Sequence, residues 1–250
     1  MDRGDLRRKG AAMRERLGQG EPAGETAPGY RELIDELLYG TVWSRPGLSI
    51  EDRMATSLAA LCAVQRLDHL RRHVQGALDL GVEPRAIAEI FIQCGIYAGF
   101  PVTDAALDVA GEVFAGRGIA LPRDTGTEAS LDELMSQGRT LLQELHGSRG
   151  NEGYASPDNK VTGALYPVAI QYGYGAIWHR PGLDRRRRAL VAVAAFTALR
   201  LEGQVRKFGQ SALNAGMSRD EVIETVIQTG PYSGLAPALN ALAALSDVLR

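Results

Sequence analysis

One phrase occurs twice in this chain. Tyr39-Gly40-Thr41-Val42-Trp43-Ser44-Arg45-Pro46-Gly47-Leu48 returns as Tyr174-Gly175-Ala176-Ile177-Trp178-His179-Arg180-Pro181-Gly182-Leu183, and the register then holds without a gap. It pairs Arg53 with Arg188, Gln75 with Gln210, Gly81 with Gly216, Gln93 with Gln228, and Gly95, Tyr97 and Gly99 with Gly230, Tyr232 and Gly234. Self-similarity kept over such a span marks a duplication, so the fold must accept two like units side by side.

Each copy reads as helices. Ser49 and Asp184 stand where a side-chain oxygen satisfies the first free backbone N–H groups, with Asp52 in a box-like position after Ser49. Apolar residues follow at helical spacing, Gly81 and Gly216 supply left-handed stops, and new helices start at Pro84 and behind Ser218 with Glu221. Strand-like alternation is scarce, so the expected fold class is all-α, built from tandem duplicated helical units. The expected boundaries are a mobile N-terminal arm at 1–28, a first unit at 29–116, a connector at 117–159 and a second unit at 160–250. The connector carries one amphipathic helix from Leu131 to Leu145.

Bulk properties exclude several classes. Hydrophobic residues make up 45% of the chain and charged residues 23%, so it can bury a core. A net charge of -2 gives no broad field for nucleic acid or an anionic membrane, and Arg185-Arg186-Arg187-Arg188 reads as a solvated helix face. No apolar run approaches the ~18 residues of a membrane span, and no signal-peptide core follows Met1, so a cytoplasmic protein is expected. Cys62 and Cys94, far apart in apolar helical context, fit reduced buried thiols.

Three segments carry a family resemblance: Trp43-Ser44-Arg45-Pro46-Gly47-Leu48 with Arg53, Asp68-His69-Leu70-Arg71-Arg72-His73-Val74, and Gln93-Cys94-Gly95-Ile96-Tyr97-Ala98-Gly99-Phe100-Pro101. Together they resemble the carboxymuconolactone decarboxylase family over about 38–116 and again over about 173–249. The wider superfamily includes alkylhydroperoxidase D-like proteins, which use a Cys-x-x-Cys pair followed by a histidine. The aligned positions here are Arg66 and His69, ahead of His73, and neither is cysteine, so peroxidase chemistry is disfavoured. His73 matches the histidine of the family helix. In the second copy its counterpart is Phe208, while Asp68 and His69 become Gly203 and Gln204.

His69 and His73, four apart on a predicted helix, project from one face with Asp68 beside them. That spacing suits ordinary hydrogen-bonded histidines, a zinc pair, or general acid and base work. A metal is disfavoured because no glutamate follows the first histidine and no third ligand is evident. The resemblance implies a cofactor-independent decarboxylase acting on a small lactone carboxylate of the 4-carboxymuconolactone kind. Loss of carbon dioxide there leaves dienolate charge on the lactone oxygen, and a histidine can protonate the carbon afterwards. His73 is the expected proton donor, oriented by Asp68 or His69, and His69 in place of a family carboxylate leaves the substrate itself open.

Arg45 and Arg53 are candidates to hold a substrate carboxylate through a guanidinium fork, although both recur as Arg180 and Arg188 in the copy without the histidine. Trp43, Tyr97 and His179 join them as candidate substrate-binding residues, with Trp43 read mainly as a packing anchor, Tyr97 as packing or a hydroxyl for a ligand, and His179 as a second-copy addition in place of Ser44. Tyr154, Tyr166, Tyr172 and Tyr174 cluster ahead of it and suit a larger, flatter ligand, which keeps open a tailoring enzyme of aromatic or polyketide metabolism. A non-catalytic binding protein is the third reading. Pockets walled by both copies and a homo-oligomer, most simply a trimer, are expected because single-copy family members assemble.

Overall fold

The computed structural model describes residues 2–20, 27–122, 128–152, 156 and 158–250, and every regular element among them is helical. The first half runs through α1 (Arg3–Arg16), α2 (Tyr30–Ile34) continuing as π-helix over Asp35–Trp43, α3 (Ile50–Ala63), α4 (Leu67–Asp79), α5 (Pro84–Ala98) and α6 (Phe100–Gly116). The second half repeats this order: α7 (Leu131–His146), α8 (Tyr166–Val168) continuing as π-helix over Ala169–Ala176, α9 (Arg185–Ala198), α10 (Glu202–Asn214), α11 (Arg219–Ser233) and α12 (Leu235–Leu245).

The capping residues act as their chemistry requires. Ser49 accepts from the Asp52 N–H, Asp184 from that of Arg187, and Ser218 with Glu221 forms a reciprocal box. Asp52 does not complete a box with Ser49, because its carboxylate accepts from Arg186 at 2.8 Å and Arg187 at 3.1 Å. Gly99 and Gly234, at φ 102° and 111°, make the sharp breaks that separate α5 from α6 and α11 from α12.

The N-terminal residues, expected to be a mobile arm with at most one short helix, include a fourteen-residue helix seated against the first π-helix. The Arg14 guanidinium donates to Asp35 at 2.8 Å, both side chains are buried, and Leu17 is fully buried beyond it. The contact is close because glycines face each other. A Cβ on Gly10 would stand 1.8 Å from the Asp35 carbonyl oxygen, and one on Gly40 would stand 2.4 Å from that of Leu6. The connector helix α7 meets the second π-helix the same way, with Gly138 against the Ile170 carbonyl and Gly175 against that of Leu134. The duplication thus reaches one helix further upstream in each copy than the repeated phrase.

Helices α3 and α9 lie against each other at the centre and are buried along almost their whole lengths. A single apolar cluster spans both copies. Reciprocal ion pairs cross the same boundary. Arg53 (1% exposed) donates to Glu224 and Gln228 of α11, while Arg188 (0% exposed) donates to Glu89 and Gln93 of α5. The arginine run expected to be a solvated face is therefore tied down: Arg185 pairs with Glu144, Arg186 with Asp52 and Glu221, and Arg187 with Asp52. A buried guanidinium needs a carboxylate partner, and each copy supplies one to the other at the matching position, Glu224 to Arg53 and Glu89 to Arg188.

Candidate functional site between the two copies

His73 sits on the inner face of α4, 3% exposed, at the floor of a pocket of about 460 Å³. The pocket walls come from the end of the α1 segment (Gln19), from α2 and the first π-helix (Arg31, Leu38), from α4 (His69, Arg72) and from the far copy's α11 (Pro231, Tyr232). A π-helical turn opens the backbone ladder and is frequent at functional sites, and here it presents Leu38 and Tyr39 to the cavity.

The imidazole is held at both nitrogens. Nδ1 lies 2.8 Å from the His69 carbonyl oxygen, which can only accept, so Nδ1 carries the proton. Nε2 lies 3.1 Å from the Tyr232 hydroxyl and therefore accepts from it. The Trp43 indole N–H donates to the same hydroxyl oxygen at 2.8 Å. The result is a directed chain: Trp43 N–H to Tyr232 O–H to His73, and from His73 to the α4 backbone. Burial pushes the His73 pKa down to about 4, with the neighbouring His69 and Arg72 adding to that and the bond to the His69 carbonyl opposing it. Burial likewise pushes the Tyr232 phenol up, so the resting pair is neutral imidazole and neutral phenol near pH 7.

The other residues singled out in the sequence divide. His69 lines the pocket with His73, and Arg72 donates to its Nδ1 at 2.9 Å. Burial first, then the Arg72 charge, lower the basicity of His69. Asp68 points to solvent outside the pocket and does not orient His73, whose Nδ1 is taken by a backbone carbonyl. Arg45 and Arg53 are not at the pocket either. Both converge on Glu224, Arg45 at 2.7 Å and Arg53 at 2.8 Å. Burial would raise the Glu224 carboxyl, but hydrogen bonds from the two arginines outweigh it and hold it low. Trp43 is buried behind Tyr232 as its anchor. His179 is exposed and its Nδ1 caps the Tyr174 carbonyl at 2.8 Å, the duty that the Ser44 hydroxyl performs for Tyr39.

Tyr97 faces a different cavity. A second pocket, of about 400 Å³, occupies the matching place in the other half and is walled by the second π-helix, α9, α10 and the end of α5. Phe208 stands there where His73 stands in the first pocket, and Tyr97 where Tyr232 does. Tyr166 and Tyr174 line it, Tyr172 does not, and Tyr154 lies outside the described residues.

Sequence reasoning missed Tyr232 as a site residue, together with Arg31 and Arg72. The repeat aligns Tyr232 with Tyr97, which suggests each tyrosine serves its own copy, whereas the copies exchange them. It also passed over His146 at the end of α7, buried beside Phe208, with Nε2 2.8 Å from the Tyr174 hydroxyl and Nδ1 2.8 Å from Ser211. Burial, with Arg149 and Lys207 nearby, pushes His146 down to about 4.

The thiols Cys62 and Cys94, distant in sequence, are neighbours in space and both buried. The hydrogen bond between the Cys94 S–H and Cys62, together with burial, raises the Cys94 thiol well above its ordinary range, the reverse of what a reactive thiolate requires. Among the described residues no group of three or more His, Cys, Asp or Glu side chains could hold a metal ion, and no helix is long and apolar enough to cross a membrane.

Fold and site together define a duplicated all-helical protein with a buried histidine facing a pocket shared by two copies of one unit. The chain belongs to the carboxymuconolactone decarboxylase family, whose model matches residues 28–112 and 164–247, more than half its length. It is 38% identical over 91 residues to a 4-carboxymuconolactone decarboxylase of Acinetobacter baylyi, covering 36% of this chain and 68% of that protein. It is 37% identical over 76 residues to a nitrosuccinic acid decarboxylase of Metarhizium robertsii, covering 30% of this chain and 52% of that protein. An uncharacterized 15.0 kDa protein of Paracoccus denitrificans is 32% identical over 82 residues, covering 32% of this chain and 61% of its own length.

Proposed function

We propose that the first pocket decarboxylates a small carboxylate whose departing electrons can enter a conjugated carbonyl, a lactone carboxylate of the 4-carboxymuconolactone kind, without a metal or organic cofactor. The observation that carries this reading is the buried His73–Tyr232 pair facing a cavity that Arg31, His69 and Arg72 also line. Similarity to two decarboxylases acting on carboxylates supports it.

Arg31 and Arg72 hold the substrate's carboxylate groups, the task assigned from sequence to Arg45 and Arg53. A negative charge entering beside His73 offsets the burial that keeps the imidazole neutral, so binding draws one proton onto Nε2. Nε2–H then donates to the Tyr232 oxygen, and the Tyr232 O–H turns toward the ligand. The carbon–carbon bond breaks, carbon dioxide leaves, and the electron pair passes into the conjugated carbonyl. Tyr232 delivers its proton to carbon and takes the Nε2 proton of His73, which restores neutral phenol and neutral imidazole. One proton is consumed per carbon dioxide released, as the chemistry demands.

The test is turnover of 4-carboxymuconolactone, followed by carbon dioxide release, in the intact chain and in His73→Asn. Turnover in the intact chain and a loss of at least about 100-fold in the variant, with the fold retained, is the expected result. Equal rates in both chains would overturn the assignment.

A further inference from the structure

The second pocket differs from the first in two respects that its residues make explicit. Where the first is lined by Arg31, His69, Arg72 and His73, the second has no charged side chain and no histidine among its lining residues. Aromatic rings enclose it instead. Tyr97 lies 4.5 Å from Phe196 and 5.9 Å from Phe208 between ring centroids, and Tyr174 stacks on Trp178 at 14°. An anion meets no cation in such a box, only neutral groups such as Thr162 and Gln204, whereas a flat neutral ring gains apolar and aromatic contact.

The second respect concerns one hydrogen. In the first pocket Tyr232 gives its proton to His73 Nε2. In the second, Phe208 occupies that place and accepts nothing. Arg188 donates to the Gln93 Oε1 at 2.9 Å, which fixes the amide so that its Nε2 donates to the Tyr97 hydroxyl oxygen at 2.7 Å. Trp178 is the other side chain hydrogen-bonded to that tyrosine, and an indole N–H is a donor as well. Neither group can accept the Tyr97 proton. The first copy does not share this arrangement, because there the Gln228 amide donates to Ser57, a residue replaced by Ala192 in the second copy.

We infer that the second pocket is a binding site for a neutral, planar aromatic molecule that presents a carbonyl or ether oxygen to the Tyr97 hydroxyl. Its volume suits about two or three fused rings, at the small end of ligand cavities. The site binds and does not decarboxylate: it has neither the cations that hold a carboxylate nor the imidazole that takes up the proton. One chain would then bind an anionic substrate in one half and an uncharged aromatic compound in the other.

Isothermal titration calorimetry of the full chain with coumarin, an uncharged bicyclic lactone, tests this. One saturable site per chain is expected for coumarin, and with the first pocket filled by Leu38→Trp, 1-naphthoate should bind more weakly than coumarin. Tyr97→Phe should weaken coumarin about fivefold through loss of one hydrogen bond to a neutral acceptor. Ala169→Trp, which fills this pocket, should abolish binding, and Leu38→Trp, which fills the first, should leave it intact. No saturable coumarin binding, unchanged affinity in Tyr97→Phe or in a folded Ala169→Trp, loss of coumarin binding in a folded Leu38→Trp, or 1-naphthoate binding to Leu38→Trp as tightly as coumarin does would each overturn the inference.

Discussion

Nε2 of His73 and the hydroxyl of Tyr232 stand 3.1 Å apart, although the histidine belongs to the first copy and the tyrosine to the second. Their rings meet edge to face, with centroids 5.3 Å apart, so each orients the other. The site is therefore complete only when both copies are folded together.

Tyr232→Phe keeps the ring and removes the hydroxyl, so turnover should fall by at least about 100-fold, as for loss of a general acid. Tyr232→Phe combined with His73→Asn should cost little more than either change alone, because both interrupt one relay. Steady-state kinetics on the single and double variants check this, and additive losses would show that the two residues act separately.

Ligand binding should take up a proton. Calorimetry with 5-oxotetrahydrofuran-2-carboxylate, a saturated lactone that lacks the electron sink, should show a heat that varies with buffer ionisation enthalpy. Uptake of close to one proton per ligand is expected between pH 5 and 7 in the intact chain and none in His73→Asn. Uptake that persists in the variant would place the titrating group elsewhere.

Stability should fall on acidification through the same imidazole and through His146. Both have folded pKa values near 4 against an ordinary 6.5, so between those limits the unfolded chain binds protons that the folded chain refuses. The stabilisation is whole above about pH 6.5 and is lost as pH drops toward 4, by roughly 3 kcal/mol for each histidine. Urea midpoints at pH 7 and 4.5 measure it, and His73→Asn should remove about half the pH-dependent difference if the two contributions are equal.

The two kinds of arginine should separate cleanly. Arg72→Ala should weaken substrate binding by about 10- to 100-fold, the worth of a charge-assisted hydrogen bond, while changing stability by under about 1 kcal/mol. Arg53→Met should destabilise by about 3–5 kcal/mol, because it leaves Glu224 buried with only the partly exposed Arg45 as its cation. Thermal unfolding beside binding measurements distinguishes them. An Arg53→Met chain that is stable but unable to bind substrate would return Arg53 to the site.

Replacing Cys62 and Cys94 together by alanine should leave decarboxylation within about threefold, since neither thiol lines the pocket and the hydrogen bond with Cys62, with burial, keeps Cys94 protonated. In the unmodified chain, a thiol reagent should react only as fast as the protein unfolds. Activity abolished by the double replacement in a folded chain would revive thiol chemistry.

The repeated phrase, the caps at Ser49, Asp184 and Ser218 and the left-handed Gly81 and Gly216 were legible because each is a local device whose reason lies within a few residues. Local signals do not report which surface a helix meets. Nothing local shows that Gly10 and Gly138 are places of close approach, which appears only when the Asp35 and Ile170 carbonyls are seen to lie where a Cβ would be. The arginine run looked solvated for the same reason, since Asp52, Glu89 and Glu221 come from distant helices.

By itself the sequence determined that the chain is helical, that it is made of two like units, and that only the first keeps the histidine. The tertiary structure alone decided that Tyr232 and not Asp68 attends His73, that Arg45 and Arg53 serve Glu224, and that each pocket borrows a tyrosine from the opposite copy. Helical periodicity and caps are set by neighbours a turn away. The pairing of two copies across α3 and α9 instead depends on burying apolar area together with the charges that cross it, a sum over residues far apart in the chain.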